Sequence, residues 1–356
     1  LGEAGFLCVD MPTAYGGYGS SFELSCILVH EFARAGLGAL ASGISVHSDI
    51  VAPYILRLGS AEQKEQILPR MVSGEFVGAI AMTEPGAGSD LQNIKTTAVR
   101  DGDEFVINGQ KIWTSAGQFA NWIFVLCRTD KNAPKHKGIS FLLCEVDQPG
   151  IEMRPIKMLS GESDFNETFF TNARTAKENV VGEVNGGWAV AMTLLGYERG
   201  ESAATMPIMF RYEVDKLLEL AKQKKLSTDP AIRQRLAQIY IEVELMRLLG
   251  MRTLTGFLKG RQPGPQESAF KLYWSEYHKR ITELALDILG NESMVLSGAK
   301  ASTSFHADNP GSPNQSASWI GAFYNARAGT IYAGTSQIQR NILGEMVLGL
   351  PKEPRV

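Results

Sequence analysis

The hydrophobic pattern changes period twice, and no other feature of the chain constrains its fold as much. Up to about residue 78 apolar residues recur at helical spacing; residues 23–35 set Leu24, Ile27, Leu28 and Phe32 along one expected helical face. Ser60, with Gln63 three positions on and Ile67 and Leu68 behind it, reads as a capping box opening a helix. Between 79 and 182 the period shortens. Residues 94–99 alternate, 104–107 are β-prone, 122–127 and 139–146 are apolar runs of strand length, and Asn108-Gly109 reads as a hairpin turn. Val180-Val181-Gly182 closes that stretch, and helical spacing returns from 183. The chain should therefore be α+β and multidomain: helical over 1–78, a β sandwich or barrel over 79–182, and a helical bundle over 183–356.

Within the last segment a helix should begin at Gly187-Trp188 and run past Glu198. Asp229-Pro230 supplies a capping carboxylate and a first-turn proline. Ile232, Leu236, Ile239, Val243, Met246 and Leu249 follow as an apolar stripe. A further helix carries Phe270, Tyr273, Trp274, Tyr277, Ile281, Leu284 and Ile288 and should stop at Gly290; its aromatics suit a bundle core better than a cofactor box. Residues 302–318, rich in Ser, Asn, Gly and Pro, read as a loop, and Thr335 should cap a last helix ending near 349–351.

Composition narrows the function. A formal charge of −3 over 356 residues leaves no electrostatic footprint for nucleic acid or an anionic membrane. No apolar run is long enough to span a bilayer, and no secretory signal is visible at the start. The four cysteines form no CxxC pair, the usage of a reducing cytoplasm. Five scattered histidines, His30 and His47 among them, lack ligand spacing, so no metal is expected and both read as ordinary helix residues.

The stretch 79–90, Ala-Ile-Ala-Met-Thr-Glu-Pro-Gly-Ala-Gly-Ser-Asp, is an apolar run feeding a turn in which Gly86 and Gly88 allow close approach of a ligand to the backbone. Together with Lys111-Ile112-Trp113-Thr114-Ser115 and residues 332–341 (Tyr-Ala-Gly-Thr-Ser-Gln-Ile-Gln-Arg-Asn), it closely resembles the acyl-CoA dehydrogenase family of flavoproteins, in the family's order and spacing. The likeness covers most of the chain. It implies a helical N-terminal domain entered part-way by Leu1, a β middle domain and a C-terminal four-helix bundle that commonly builds a dimer or dimer of dimers.

The resemblance implies FAD as cofactor, an acyl-CoA thioester as substrate and an electron-transfer flavoprotein as acceptor. It assigns Ile80, Ala81, Met82 and Thr83 to the isoalloxazine, Gly88 and Ser89 to the flavin phosphates and, for Ser89, the pantetheine. Trp113 would pack on the flavin with Thr114 and Ser115 beside it; Thr335 and Gln337 open the last helix, where free amides favour phosphate. Ser163 is a candidate substrate contact, and the backbone of Ala333 and Gly334 would serve the thioester oxygen. Many members carry their catalytic Glu where this chain has Ala333; a second subset carries it before an arginine on an interior helix, which Gly196-Tyr197-Glu198-Arg199-Gly200 resembles. Glu198 is thus the implied base, with Arg199 holding its surroundings. The family's Arg-x-x-Phe-Gly and Gln-x-x-Gly-Gly segments, which serve FAD across an interface, are replaced around residues 221–227 and 287–291. That departure resembles divergent bacterial members for bulky acyl chains, some of them heteromeric. The alternatives are a non-catalytic subunit of a heterotetramer with a homologue, or a flavin oxidase or monooxygenase on the same fold.

Overall fold

The computed structural model describes residues 1–35, 37, 44–161, 163–261, 264–295, 314 and 316–352, with the side chains at 33, 34, 46, 194–202 and 204 outside that description. It divides into two compact units, residues 1–20 with 46–195, and residues 21–45 with 196–356.

In the first unit, helices α2 (Ala52–Leu58) and α3 (Ala61–Ser73) precede the seven strands β1 (Gly78–Ala81), β2 (Thr97–Asp101), β3 (Glu104–Ser115), β4 (Trp122–Arg128), β5 (Ile139–Glu145), β6 (Ile151–Ile156) and β7 (Phe165–Ala176). The capping box forms as the sequence suggests: the Gln63 amide donates to Ser60 Oγ at 3.2 Å and the Ser60 amide to Gln63 Oε1 at 3.0 Å. The strand order is β1-β4-β2-β3-β7-β6, with β5 branching from β4. The continuous apolar runs of β4 and β5 follow from burial on both faces. Ile123, Val125, Cys127, Leu142 and Cys144 point into the core that the curled sheet encloses. Phe124, Leu126, Ile139, Phe141 and Leu143 point the other way, into a core shared with Ile55 and Tyr54 of α2 and Leu68 and Met71 of α3. Helices α2 and α3 and the sheet thus form one body, although the sequence pattern changes at residue 79, whereas residues 21–45 belong to the second unit.

The hairpin expected at Asn108-Gly109 lies elsewhere. Strand β3 runs straight through both residues, and the β2–β3 turn is Gly102-Asp103, with Asp101 facing Glu104. Gly109 instead marks a register shift against β7 at φ +151°, and a Cβ there would stand 2.5 Å from Thr96 Oγ1. Its glycine is demanded by a bulge pressed on a neighbouring segment.

The long helix α4 (Gly187–Gln223) begins in the first unit and runs past its boundary. The second unit holds α1 (Phe22–Arg34), α5 (Pro230–Leu258), α6 (Ser268–Leu289), α7 (Ser316–Gly329) and α8 (Ser336–Ile342). Asp229 caps α5 by accepting from the amides of Ala231 and Ile232. Phe270, Trp274, Tyr277, Ile281, Leu284 and Ile288 of α6 form the bundle core with Phe210, Leu217, Val243 and Met246. Two expectations change. On α1 the buried residues are Ser25, Cys26 and Val29, Leu28 and Phe32 are partly buried, and Leu24 and Ile27 are exposed, so the packed face is rotated from the one expected. Residues 316–318 belong to α7; the rest of the loop expected over 302–318, apart from Asn314, lies outside the described residues. No described helix is long and apolar enough to cross a membrane, and no metal-type cluster of His, Cys, Asp or Glu occurs among the described residues.

Candidate active site

The 79–90 stretch leaves β1 and turns tightly. The Glu84 and Ala87 amides exchange hydrogen bonds with each other's carbonyls at 3.1 and 3.0 Å, folding Pro85 and Gly86 into the turn tip. The Thr83 carbonyl accepts from the Ile112 amide of β3 at 3.0 Å, so the loop is tied to the strand bearing the 111–115 motif. Beneath this tie Lys111, fully buried, donates from Nζ to Glu84 Oε1 and to the Met82 carbonyl, both at 2.9 Å. Glu84 accepts in addition from the Lys95 and Thr96 amides at 2.6 and 2.8 Å. Burial pulls the Lys111 ammonium below its ordinary value, against the pull of Glu84. For Glu84 burial acts upward, but Lys111 and the two amides outweigh it and leave the carboxyl below the usual carboxylate range. It stays ionised at neutral pH.

Two residues on, β3 breaks register with β7 between Lys111 and Thr114, and Trp113 adopts φ +62°. A bulky side chain in the left-handed region is a backbone outlier of the kind found at ligand sites. The Trp113 indole is 52 % exposed and rests edge-on against Phe165, ring centres 5.9 Å apart. Ser115 is exposed as well. Thr114 is not: it is fully buried, and its hydroxyl pairs with Thr168 Oγ1 at 2.9 Å. Of the two kinds of donor expected at 114, hydroxyl or amide, the hydroxyl is engaged inside the protein, because the register shift between Lys111 and Thr114 returns Thr114 to the side on which Lys111 faces Thr168.

The other residues assigned in this unit vary in exposure. Ala81 is buried in the core enclosed by the sheet, while Ile80 and Met82 pack partly against the helix-covered core, leaving mainly backbone at 80–82 for a ligand. Thr83 is half-buried, and Gly88 and Ser89 are exposed. Neither Gly86 nor Gly88 has a positive φ, and a Cβ on either would meet nothing within 4 Å. Their smallness serves no packing or turn need inside the chain, and the room beside them suits a ligand lying against the loop. The Ser163 carbonyl accepts from Gln118 Nε2 at 3.1 Å.

In the second unit, the 332–341 motif forms a left-handed corner before α8. Ala333 has φ +50° and Gly334 φ +85°. Fully buried Gln339 donates from Nε2 to the Ala333 carbonyl at 2.8 Å, and Thr335 Oγ1 caps α8 by accepting from the Ile338 amide at 3.2 Å. Among the described residues no acceptor faces the Ala333 amide. Gln337 is exposed. Upstream, buried Lys271 donates to the Gly329 carbonyl at 2.7 Å, its ammonium near the rings of Trp274 and Tyr332. Glu198 and Arg199 lie within α4, and their side chains are outside the described residues.

Motif reading did not assign roles to Glu84, Lys111, Lys271 or Gln339. A charge inside an apolar strand pattern was the available signal for Lys111. For Lys271 it was a lysine three residues before Trp274 on the helix face that carries the aromatic stripe.

A curled sheet covered by helices, a helical bundle, and motif-bearing corners with left-handed non-glycine residues define a three-part α+β protein of one known kind. Family models for the acyl-CoA dehydrogenase N-terminal, middle and C-terminal domains match residues 1–75, 79–173 and 185–348. The chain belongs to the acyl-CoA dehydrogenase family. It is 37 % identical to acyl-CoA dehydrogenase IpdE1 of Mycobacterium tuberculosis over 355 residues, covering 100 % of this chain and 87 % of that one. Among solved structures it is similar to the Tcur3481-Tcur3483 steroid ACAD (TM-score 0.85, 32 % identity, 99 % of this chain and 88 % of that one). It is also similar to the ChsE4-ChsE5 complex from Mycobacterium tuberculosis (TM-score 0.82, 30 % identity, 99 % and 88 %).

Proposed function

We propose that the chain is an FAD-dependent dehydrogenase that introduces an α,β double bond into an acyl-CoA thioester, with Glu198 as the base. The observation carrying this reading is the joined edge of the first unit: the 83–89 loop and the Trp113 bulge tied to one strand, with open room beside Gly86 and Gly88. Residues 80–83, Trp113 and Ser115 would hold the flavin ring and Gly88 and Ser89 its phosphates, with Thr335 and Gln337 at a second phosphate position. Bound FAD supplies the two-electron acceptor that takes the β-hydrogen as hydride. The Glu198 carboxylate takes the α-proton, and the electron pair of that C–H bond becomes the new C=C bond. The free Ala333 amide would donate to the thioester oxygen as negative charge develops there. Ser89, Ser163, Arg199 and Gly334 would line the substrate. Alanine at 333 removes the commoner base position, and the motif around Glu198 supports the alternative one.

The likeness to proteins named as a steroid ACAD and as a two-component complex favours a bulky, ring-bearing acyl group and an assembly of two homologous chains over a single-chain oligomer. An electron-transfer flavoprotein is the proposed acceptor. The test is anaerobic mixing with a panel of short, long, branched and steroid-side-chain CoA esters. Wild-type protein should lose its yellow colour with at least one ester, and Glu198→Gln should bleach roughly 10²–10⁴-fold more slowly. Equal bleaching by the variant refutes Glu198 as base. Colourless protein that gains FAD only with a homologue present favours the half-site subunit, and rapid reoxidation by oxygen without reduction by any ester favours an oxidase.

A further inference from the structure

The proposed chemistry uses neither Glu84 nor Lys111, yet they form a buried ion pair, with Lys111 0 % and Glu84 7 % exposed in their side chains. A buried pair is a weak source of stability compared with apolar side chains of equal volume, so packing alone does not account for it. Its bonds do something specific. Lys111 Nζ holds the Met82 carbonyl at 2.9 Å. A trans peptide points its N–H opposite its C=O, so the Thr83 amide is turned away from the pair. The next carbonyl, of Thr83, is held by Ile112, and the next amide, of Glu84, by Ala87. Three of these four successive groups are thereby fixed, and the remaining one, the N–H of Thr83, is turned from the pair with no acceptor among the described residues. On the strand side, Lys111 is the last residue in register before the bulge that turns Trp113 out.

We propose that Glu84 and Lys111 are a positioning pair for the flavin: they aim the Thr83 amide and the Trp113 bulge at one ligand face before the ligand arrives, and hold a balanced pair of charges beneath it. The inference rests on the reading of this edge as flavin-facing. Opposite charges so close cancel at a distance, whereas one alone in a low-dielectric interior acts on any neighbouring group that gains negative charge on reduction.

The test uses Glu84→Gln, Lys111→Met and the double variant, with three measurements: FAD affinity of the apoprotein, thermal unfolding of the apoprotein, and the midpoint potential of bound FAD by photoreduction, which needs no substrate. Each single variant should bind FAD at least tenfold more weakly. Lys111→Met, which leaves a carboxylate still held by two amides, should lower the potential. Glu84→Gln should not lower it, and the double variant should return it toward wild type without restoring affinity. Variants that bind and poise FAD as wild type does overturn the proposal. So do variants that melt earlier while holding FAD at the wild-type potential, because that is a purely structural role. If Lys111→Met does not fold, Glu84→Gln, which keeps the side-chain size, carries the affinity test. Wild-type protein that binds no FAD overturns the proposed function together with this inference, whereas normal binding by wild type and variants alike overturns this inference alone.

Discussion

Gly334→Ala probes the left-handed corner of the C-terminal motif with a magnitude set by its surroundings. At φ +85° an L side chain is strained, and a Cβ there would stand 2.6 Å from Gln339 Nε2. Gln339 is fully buried and cannot swing into solvent; the same Nε2 donates to the Ala333 carbonyl at 2.8 Å. The left-handed conformation costs about 1–2 kcal/mol for alanine, and a buried hydrogen bond forced open costs about 1–3 kcal/mol. The stiffer unfolded chain returns about 0.4–1 kcal/mol. The net loss should be roughly 1–5 kcal/mol, read as a lower urea midpoint with an unchanged slope. Ala333→Gly is the control: relief of strain at φ +50° and the looser unfolded chain act oppositely at similar size, so its midpoint should hardly move. A Gly334→Ala midpoint equal to wild type would refute the argument, since neither the strain nor the crowding would then exist in solution.

Two further outcomes concern stability. Tyr277 is fully buried, and its hydroxyl has no hydrogen-bond partner among the described residues, so Tyr277→Phe should stabilise the protein by about 1 kcal/mol and raise its melting temperature; a lower melting temperature would reveal a partner for that hydroxyl. The His47 imidazole lies below its ordinary value of 6.5, mainly through burial, with the Met71 carbonyl bonded at 2.9 Å opposing the shift. Since the folded-state value is depressed, the unfolded state takes up the proton first. Stability should therefore fall as pH drops through 6.5, and His47→Gln should lose that part of the slope in urea titrations carried downward from pH 6.5.

How far the sequence could be read depended on whether a position is governed by its neighbours in the chain or by a distant contact. The Ser60 and Asp229 caps, the two-faced strands β4 and β5 and the stripe of α6 are local patterns, and all formed as read. Asn108-Gly109 has the composition of a turn, yet Gly109 is needed because Thr96, thirteen residues back, presses on it. On α1 the apolar count picked Leu24 and Ile27, whereas the residues buried by tertiary contact are Ser25, Cys26 and Val29. At the candidate site the motifs pointed to the 79–90 loop and the 111–115 segment, but not to the bulge within it. They could not show that Thr114 turns inward to Thr168, because the register shift that decides it is a property of the β3–β7 pairing.

The two motif segments share one construction. In the first unit a buried lysine, Lys111, donates to the Met82 carbonyl, and the chain then presents Trp113 in the left-handed region. In the second, buried Lys271 donates to the Gly329 carbonyl, four residues before left-handed Ala333. Each non-glycine left-handed residue stores roughly 1–2 kcal/mol of strain, which persists only where surrounding bonds over-determine the backbone. A lysine ammonium suits that task because it reaches a carbonyl from below with a charge-assisted bond and three donors. Each corner also leaves one amide unengaged among the described residues, Thr83 in one and Ala333 in the other. At the first corner the Met82 carbonyl held by Lys111 turns the N–H of its own peptide, that of Thr83, away from the lysine; at the second, Lys271 holds a carbonyl four residues before Ala333, and Gln339 holds the Ala333 carbonyl itself. If Ala333 makes the proposed contact to the thioester oxygen, it does so through its peptide N–H, which needs no side chain at that position.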